Sequence, residues 1–127
     1  MAAADYFPVK ASLGGIKPPF SEAVRVGDVL YLSGALGLDD GKLVAGGIGP
    51  ETRQTIANIR TILERHGSSL DRVVKATVML ADMGEWAAMN AVYLEHFSEN
   101  LPARSAFGTS GLALGARVEI EVVATVD

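Results

Sequence analysis

The sequence predicts an α+β fold in which two helices cover one face of a sheet of about six strands. Two long intervals between clusters of glycine and proline carry apolar residues at helical spacing. Several other stretches alternate side chains in the way that strands do. The order along the chain is strands, helix, strand, helix, strands.

The first helix is predicted from about Pro50 to His66. Proline is typical of a helix entry, Glu51 lies in the first turn, and Gly67 follows as a stop signal. Its apolar stripe consists of Ile56, Ile59, Ile62 and Leu63. The interval therefore has the start, the buried face and the end of an amphipathic helix.

The second helix is predicted to begin at Asp82, whose carboxylate can cap the first turn. Glu85 follows three residues later, at the spacing of a capping box. The apolar stripe of this helix is Trp86, Met89, Tyr93 and Phe97. Helical spacing favours core positions for these aromatic side chains over a stacking platform for a ligand.

Two alternating stretches predict the longest strands. From Arg72 to Leu80, one face carries Val74, Ala76, Val78 and Leu80, and the other carries Val73, Lys75, Thr77 and Met79. From Arg117 to Val126, an apolar face of Val118, Ile120, Val122, Ala124 and Val126 opposes Arg117, Glu119, Glu121, Val123 and Thr125. A hairpin is predicted around Gly27-Asp28, from Val24–Val26 and Val29–Ser33, and Lys42 to Ala45 is interpreted as a short edge strand.

Composition limits the classes of protein to consider. The 127 residues are 49% hydrophobic and 20% charged, which is typical of a single globular domain spanning 1–127. The net charge is 11 − 15 = −4, which disfavours nucleic acid and anionic membranes as partners. The absence of cysteine excludes disulfides, and we expect a cytoplasmic protein with no membrane span or signal sequence.

The sheet face without helices is mixed in character. It carries Lys75, Glu119, Glu121 and Val123, which is too apolar for a bare solvated surface and too polar for a core. A second copy of the chain is the natural cover for such a face. We therefore expect a homo-oligomer.

Common cofactor and catalytic motifs are missing. Gly47-Ile48-Gly49 lacks the third glycine of a dinucleotide fingerprint, and the chain has neither a P-loop nor a Gly-x-Ser-x-Gly elbow. His66 and His96 have no carboxylate or second histidine at the spacing that a zinc helix uses. We expect no metal and no bound cofactor.

Arg104 is the most informative side chain in the last quarter of the sequence. Pro102 leads into a predicted strand in which Arg104, Ala106 and Gly108 share one face, so the guanidinium stands beside two small residues. This arrangement suits a small carboxylate ligand. An ordinary surface ion pair with Glu119 or Glu121 is the alternative interpretation.

Six segments together resemble the RidA/YjgF family of reactive-intermediate deaminases. They are Phe20-Ser21-Glu22-Ala23-Val24, Tyr31-Leu32-Ser33-Gly34, Gln54-Thr55-Ile56-Ala57-Asn58-Ile59, Val74-Lys75-Ala76-Thr77-Val78, Asn90-Ala91-Val92-Tyr93 and Pro102-Ala103-Arg104-Ser105. The resemblance extends from about Pro18 to Val126. It implies a chorismate-mutase-like fold and a homotrimer with ligand clefts between subunits. The implied reaction converts enamine and imine acids such as 2-aminoacrylate to 2-oxo acids and ammonia without a cofactor.

The resemblance also assigns residues. Arg104 matches the arginine that clamps the substrate carboxylate, and Glu119 matches the acid that would hold and deprotonate water, with Glu121 on the same strand face. A pKa raised by partial burial would help Glu119 to act as both base and acid. Ser33, Gly34 and Asn90 match residues that shape the cleft.

Two positions depart from the family pattern. Phe20 replaces a tyrosine that is common in the family, and Ala106 replaces a cysteine. Both changes make the cleft less polar while leaving the clamp and the acid in place. They keep open the alternative of a trimer that binds a small metabolite without catalysis.

A further alternative comes from relatives described as endoribonucleases and translation inhibitors. The net charge of −4, the lack of a basic run and the lack of a histidine pair argue against RNA cleavage.

Overall fold

The computed structural model describes residues 3–10 and 16–127. This part of the chain contains eight strands and two α-helices, in the order β1 (Ala4–Pro8), β2 (Ser21–Val26), β3 (Val29–Leu32), β4 (Leu38–Asp39), β5 (Lys42–Leu43), α1 (Ile48–Arg65), β6 (Val73–Leu80), α2 (Trp86–His96), β7 (Ala103–Gly108) and β8 (Val118–Thr125). Single 3₁₀ turns lie at Leu70–Arg72, Met83–Glu85 and Ala113–Gly115.

Six of these strands form one mixed sheet in the order β1-β2-β3-β8-β6-β7. Neighbours are antiparallel except β6 and β7, which are parallel because α2 forms the crossover between them. The two helices pack on each other and on the sheet, and the core lies between these layers. The predicted α+β fold with six strands and two helices is confirmed.

Both helices lie close to their predicted positions. α1 begins two residues before Pro50, and Ile56, Ile59 and Leu63 of its stripe are fully buried. Asp82 caps the turn ahead of α2, where its carboxylate accepts a hydrogen bond of 2.8 Å from the Gly84 amide.

The predicted capping box is wrong. The Glu85 carboxylate accepts hydrogen bonds from Arg117 Nη1 at 3.1 Å and does not cap the helix. A positively charged guanidinium is a stronger partner for a carboxylate than a neutral backbone amide. Glu85 therefore joins α2 to the residue that precedes β8.

The predicted faces of β6 are correct except at its start. Ala76, Val78 and Leu80 are buried as expected, but Val73 is buried and Val74 is 49% exposed. The pairing with β8 runs from Val73 directly to Lys75, so Val74 is the extra residue of a β-bulge. The predicted apolar face is confirmed, since its five residues are all buried: Val118, Ile120, Val122, Ala124 and Val126.

The edges of the sheet differ from prediction. β1 is an edge strand that sequence reasoning missed, and it pairs with β2. β5 pairs only with β4, in a separate two-stranded ribbon, so the predicted Lys42 to Ala45 segment adds no edge to the main sheet. The hairpin is confirmed, and Gly27 at its turn has a φ of +58°, which favours glycine.

The second sheet face has the mixed character expected from the sequence. Lys75 and Glu121 are exposed, and Glu119 and Val123 are half-buried. Tyr31 and Phe107 add exposed aromatic surface, at 48% and 46%. Among the residues described, neither helix has the length and apolar character required to span a bilayer.

Candidate active site

Glu119 lies in a niche made by a glycine. Ala35 and Ile120 form an antiparallel bridge through backbone hydrogen bonds of 2.8 and 3.1 Å, which holds the segment at Gly34 against β8. A Cβ atom on Gly34 would overlap the Glu119 carboxylate and would lie 2.9 Å from its Cδ atom. The missing side chain of Gly34 is therefore what makes room for the acid.

The environment of Glu119 disfavours its charged form. Burial raises the pKa of this carboxyl above its usual value, and the negative charge of Glu121 raises it further. A carboxyl whose pKa is raised above its usual value holds an accepted proton more readily and can return it in a later step. The pKa shift that would suit Glu119 to acid–base work is thus present.

Ser33 and Phe20 lie at the same end of the β2–β3 hairpin as Gly34. The Ser33 hydroxyl donates a hydrogen bond of 2.6 Å to the Ser21 carbonyl, so its hydrogen is committed and only its lone pairs are free. Phe20 precedes Ser21 and is 51% exposed. We call Phe20, Ser33, Gly34 and Glu119 the glutamate half-site.

Arg104 lies on β7, where residues of α2 hold it. Its Nη1 atom donates a hydrogen bond of 2.7 Å to Asn90 Oδ1. Its Cζ atom lies 4.8 Å from the centre of the Tyr93 ring and 5.9 Å from that of Trp86. Within the described ranges no carboxylate comes within ion-pair distance of Arg104, so the predicted alternative of a pair with Glu119 or Glu121 is wrong.

Trp86 and Tyr93 belong to the site although the sequence favoured core positions for both. Tyr93 is buried, as expected, but Trp86 is 43% exposed beside the guanidinium. The spacing of Trp86, Asn90 and Tyr93 at i, i+4 and i+7 places them on one helix face, and this signal was available in the sequence. We call Trp86, Asn90, Tyr93 and Arg104 the arginine half-site.

Ala106 lies two residues after Arg104 on the same strand face. It is half-buried and packs against the core beneath the helices. Its methyl group therefore packs in the layer that the helices cover.

The strand register places the two half-sites on opposite faces of the sheet. Arg104 is in register with Ala76, which is buried beneath the helices. Glu119 is in register with Met79 and thus with Phe107, both on the other face. Because β6 lies between β7 and β8, the two backbones are also about 10 Å apart. One copy of the chain does not bring Arg104 and Glu119 together.

Glu51 is a buried carboxylate that fixes the backbone just before Glu119. It is 4% exposed, and its Oε2 atom accepts hydrogen bonds from the amides of Arg117 at 2.6 Å and Val118 at 3.2 Å. These amides immediately precede Glu119. Only the tertiary structure shows this contact, because the partners are 66 and 67 residues apart.

The histidines are engaged elsewhere. His66 Nε2 lies 2.7 Å from the Glu22 carboxylate, and its ring stacks on Phe7 with centres 4.2 Å apart. His96 Nδ1 lies 3.1 Å from the Val92 carbonyl oxygen. In the described part of the chain, no group of three histidine, aspartate or glutamate side chains is arranged to bind a metal ion.

Solved structures share this fold. RidA from the Antarctic bacterium Psychrobacter sp. is 36% identical, covers 98% of both chains and superposes with a TM-score of 0.83. YyfA from Yersinia pestis, of the Rid protein family, is 34% identical, covers 98% of this chain and 100% of its own, and has a TM-score of 0.87. The chain therefore has the α+β fold of the RidA-like proteins.

Sequence comparison defines the family. The family model described as Endoribonuclease L-PSP matches residues 15–126. The 2-iminobutanoate/2-iminopropanoate deaminase of Capra hircus is 45% identical over 108 residues, 84% of this chain and 79% of the relative. The human protein of the same name is 40% identical over 116 residues, 90% of this chain and 85% of the relative. The chain belongs to the RidA/YjgF family.

Proposed function

We propose that the protein is a hydrolase that converts 2-imino acids, and the enamines that tautomerise to them, into 2-oxo acids and ammonia without a cofactor. The names of the relatives support this class of substrate. The observation that carries the proposal is a guanidinium fixed by Asn90 with no carboxylate from the described residues, 3–10 and 16–127, within ion-pair distance. A substrate carboxylate is the missing partner.

Arg104 acts as the carboxylate clamp. Asn90 occupies one of its five N–H donors, which leaves enough donors for a bidentate bond to a carboxylate. The Tyr93 and Trp86 rings restrict the guanidinium on one side. Such a fixed donor fork orients the adjacent imine carbon for attack.

Glu119 moves the protons. Its carboxylate removes a proton from water as the water oxygen bonds to the carbon of the protonated imine, which gives a carbinolamine. The Glu119 acid then returns the proton to the amino nitrogen. The Glu119 carboxylate, free again, takes the proton of the carbinolamine hydroxyl as the C–N bond breaks, which releases ammonia and the 2-oxo acid, and Glu119 then returns this proton to water. The raised pKa of Glu119 favours both directions of this transfer.

The active site is shared between two copies of the chain. The imine carbon is bonded directly to the carboxylate carbon, so the clamp and the acid must flank the same few ångströms of substrate. Arg104 and Glu119 of one copy lie on opposite faces of the sheet. Tyr31 and Phe107 are exposed on the face that carries Glu119. A neighbouring copy that covers this face with its arginine half-site completes the pocket, and repetition of this contact closes a ring, here the trimer implied by the family resemblance.

RNA cleavage has less support, although it is in the description of the family model. Both histidines are bonded away from the two half-sites, to Glu22 and to the Val92 carbonyl. The chain therefore offers no histidine couple for acid–base attack at phosphate, and its net charge is −4.

The test generates 2-imino acids in situ with an amino-acid oxidase and traps unhydrolysed imine with semicarbazide. Wild-type protein is expected to reduce the trapped imine. Arg104→Ala is expected to lower kcat/KM about 10²–10⁴-fold, since it removes two charge-assisted hydrogen bonds to the carboxylate. Arg60→Ala, at an exposed position of α1, is the matched control and is expected to retain activity.

Three outcomes would contradict the proposal. Full activity in Arg104→Ala would show that Arg104 does not bind the substrate carboxylate. Binding of 2-oxo acids without turnover of any imine would identify a metabolite-binding protein. Cleavage of RNA by nuclease-free preparations, without imine turnover, would identify a nuclease.

A further inference from the structure

A cavity of about 260 Å³ adjoins Arg104. Its walls come from α2 and from the segment that leads into β7. They consist of Asn90, Tyr93, Leu94, Leu101, Pro102 and Arg104. Asn90 and Arg104 form the polar end of this cavity, and its other four lining residues are aromatic or aliphatic.

The two leucines of this cavity are more than half exposed. Leu94 is 52% exposed and Leu101 is 59% exposed, although both are large apolar side chains. Exposed apolar surface that adjoins a charged group is typical of a ligand-binding site. The position beside the carboxylate clamp indicates which part of a ligand would lie there.

A 2-imino acid has a single side chain, attached to the imine carbon next to the carboxylate. When the carboxylate is bound to Arg104, this side chain begins two bonds from the clamp, within reach of the adjoining cavity. The cavity has the volume of several water molecules, each of which occupies about 30 Å³ in the liquid. A methyl or ethyl group would leave most of this space to water.

We propose that this cavity binds the substrate side chain and that the protein prefers 2-imino acids with branched or long apolar side chains. The inference rests on the proposed function. It goes beyond the names of the relatives, whose substrates 2-iminopropanoate and 2-iminobutanoate carry only methyl and ethyl groups. Leu94 and Leu101 are then the residues that determine specificity, because they form apolar wall with no hydrogen-bonding group.

The experiment compares the imines derived from alanine and from leucine by oxidase and semicarbazide competition. Wild-type kcat/KM is expected to be about 10-fold higher for the leucine-derived imine, since each buried methylene adds to transition-state binding. Leu94→Ser and Leu101→Ser are each expected to lower the ratio of the two kcat/KM values about fivefold. Both positions are more than half exposed, so the variants are expected to fold.

Val26→Ser is the matched control. Val26 is 40% exposed at the end of β2, which is separated from β7 by three strands of the sheet. Its substitution is expected to leave the ratio unchanged. Thermal melting and light scattering verify that each variant is folded and assembled.

Each contrary result has a distinct meaning. A wild-type protein that hydrolyses the alanine-derived imine as fast as the leucine-derived one overturns the side-chain cavity but leaves the deaminase intact. A ratio unchanged in both serine variants shows that the leucines do not determine specificity, and it overturns the inference. Loss of assembly in these variants assigns the leucines to a contact between copies and overturns it as well. Hydrolysis of neither imine overturns the deaminase and the cavity together.

Discussion

The two faces of the sheet differ in how many partners one copy of the chain provides for the candidate functional residue on each face. On the helix-covered face, Arg104 is bonded to Asn90 and lies against the Tyr93 ring, both from α2 of the same copy. On the other face, Glu119 lies in the niche at Gly34, with its pKa raised and with exposed aromatic side chains nearby. One copy of the chain therefore holds the two half-sites on opposite faces, and the proposed active site requires a second copy to combine them.

The largest effect within the glutamate half-site is expected from Glu119→Gln. Glutamine keeps the size of the side chain but cannot take a proton from water, so kcat is expected to fall about 10²–10⁴-fold. KM is expected to change little, because the carboxylate clamp lies on the other half-site. Steady-state hydrolysis of one imine measures both constants.

Glu121→Gln is the matched control for that loss. Glu121 lies on the same strand face but is exposed, and its variant is expected to keep most of the activity. Equal losses in the two variants would show that the charge of this face, and not a specific base, matters.

A smaller effect is expected from Gly34→Ala. The added Cβ overlaps the Glu119 carboxylate and must displace it, and a displacement near 1 Å at a reacting group costs about 10²-fold in rate. Gly49→Ala is the control, because a Cβ there meets nothing within 4 Å. Wild-type kcat in Gly34→Ala would mean that the position of Glu119 is unimportant.

The smallest effect concerns pH. Protonation of Glu119 removes the base, so the rate is expected to fall as pH drops through its raised pKa. The charge of Glu121 contributes to that rise, and its removal in Glu121→Gln lowers the pKa of Glu119. The acid limb of the kcat/KM profile is therefore expected to move to lower pH, and a limb that stays or moves upward would contradict the assignment of the base.

Much of the fold could be predicted because it depends on local patterns. The stripe of α1, the alternation of β8 and the Gly27-Asp28 turn all identify their elements without knowledge of the rest of the chain. The bulge at Val74 and the edge strand β1 could not be predicted in this way. They are set by pairing with distant strands, β8 and β2.

The candidate site also combines features that local patterns indicate with features that depend on the pairing of distant strands. Its small neighbours on the strand mark Arg104 as a candidate ligand for a carboxylate, and the family resemblance implies the clamp role and adds Glu119. The relative direction of the two side chains depends on the register across β7, β6 and β8. Alternation within each strand leaves that register open, which is why an ion pair between Arg104 and Glu119 was a reasonable alternative.

The most direct test of the shared site mixes two inactive variants. Co-expression of Arg104→Ala and Glu119→Gln chains in equal amounts is expected to restore about a quarter of the wild-type activity, because a quarter of randomly formed contacts join an intact arginine half-site to an intact glutamate half-site. As a control, wild type co-expressed with the double variant is expected to give the same fraction. Native mass spectrometry verifies that mixed assemblies form. Mixed assemblies of the two single variants that show no activity above either parent would contradict the account.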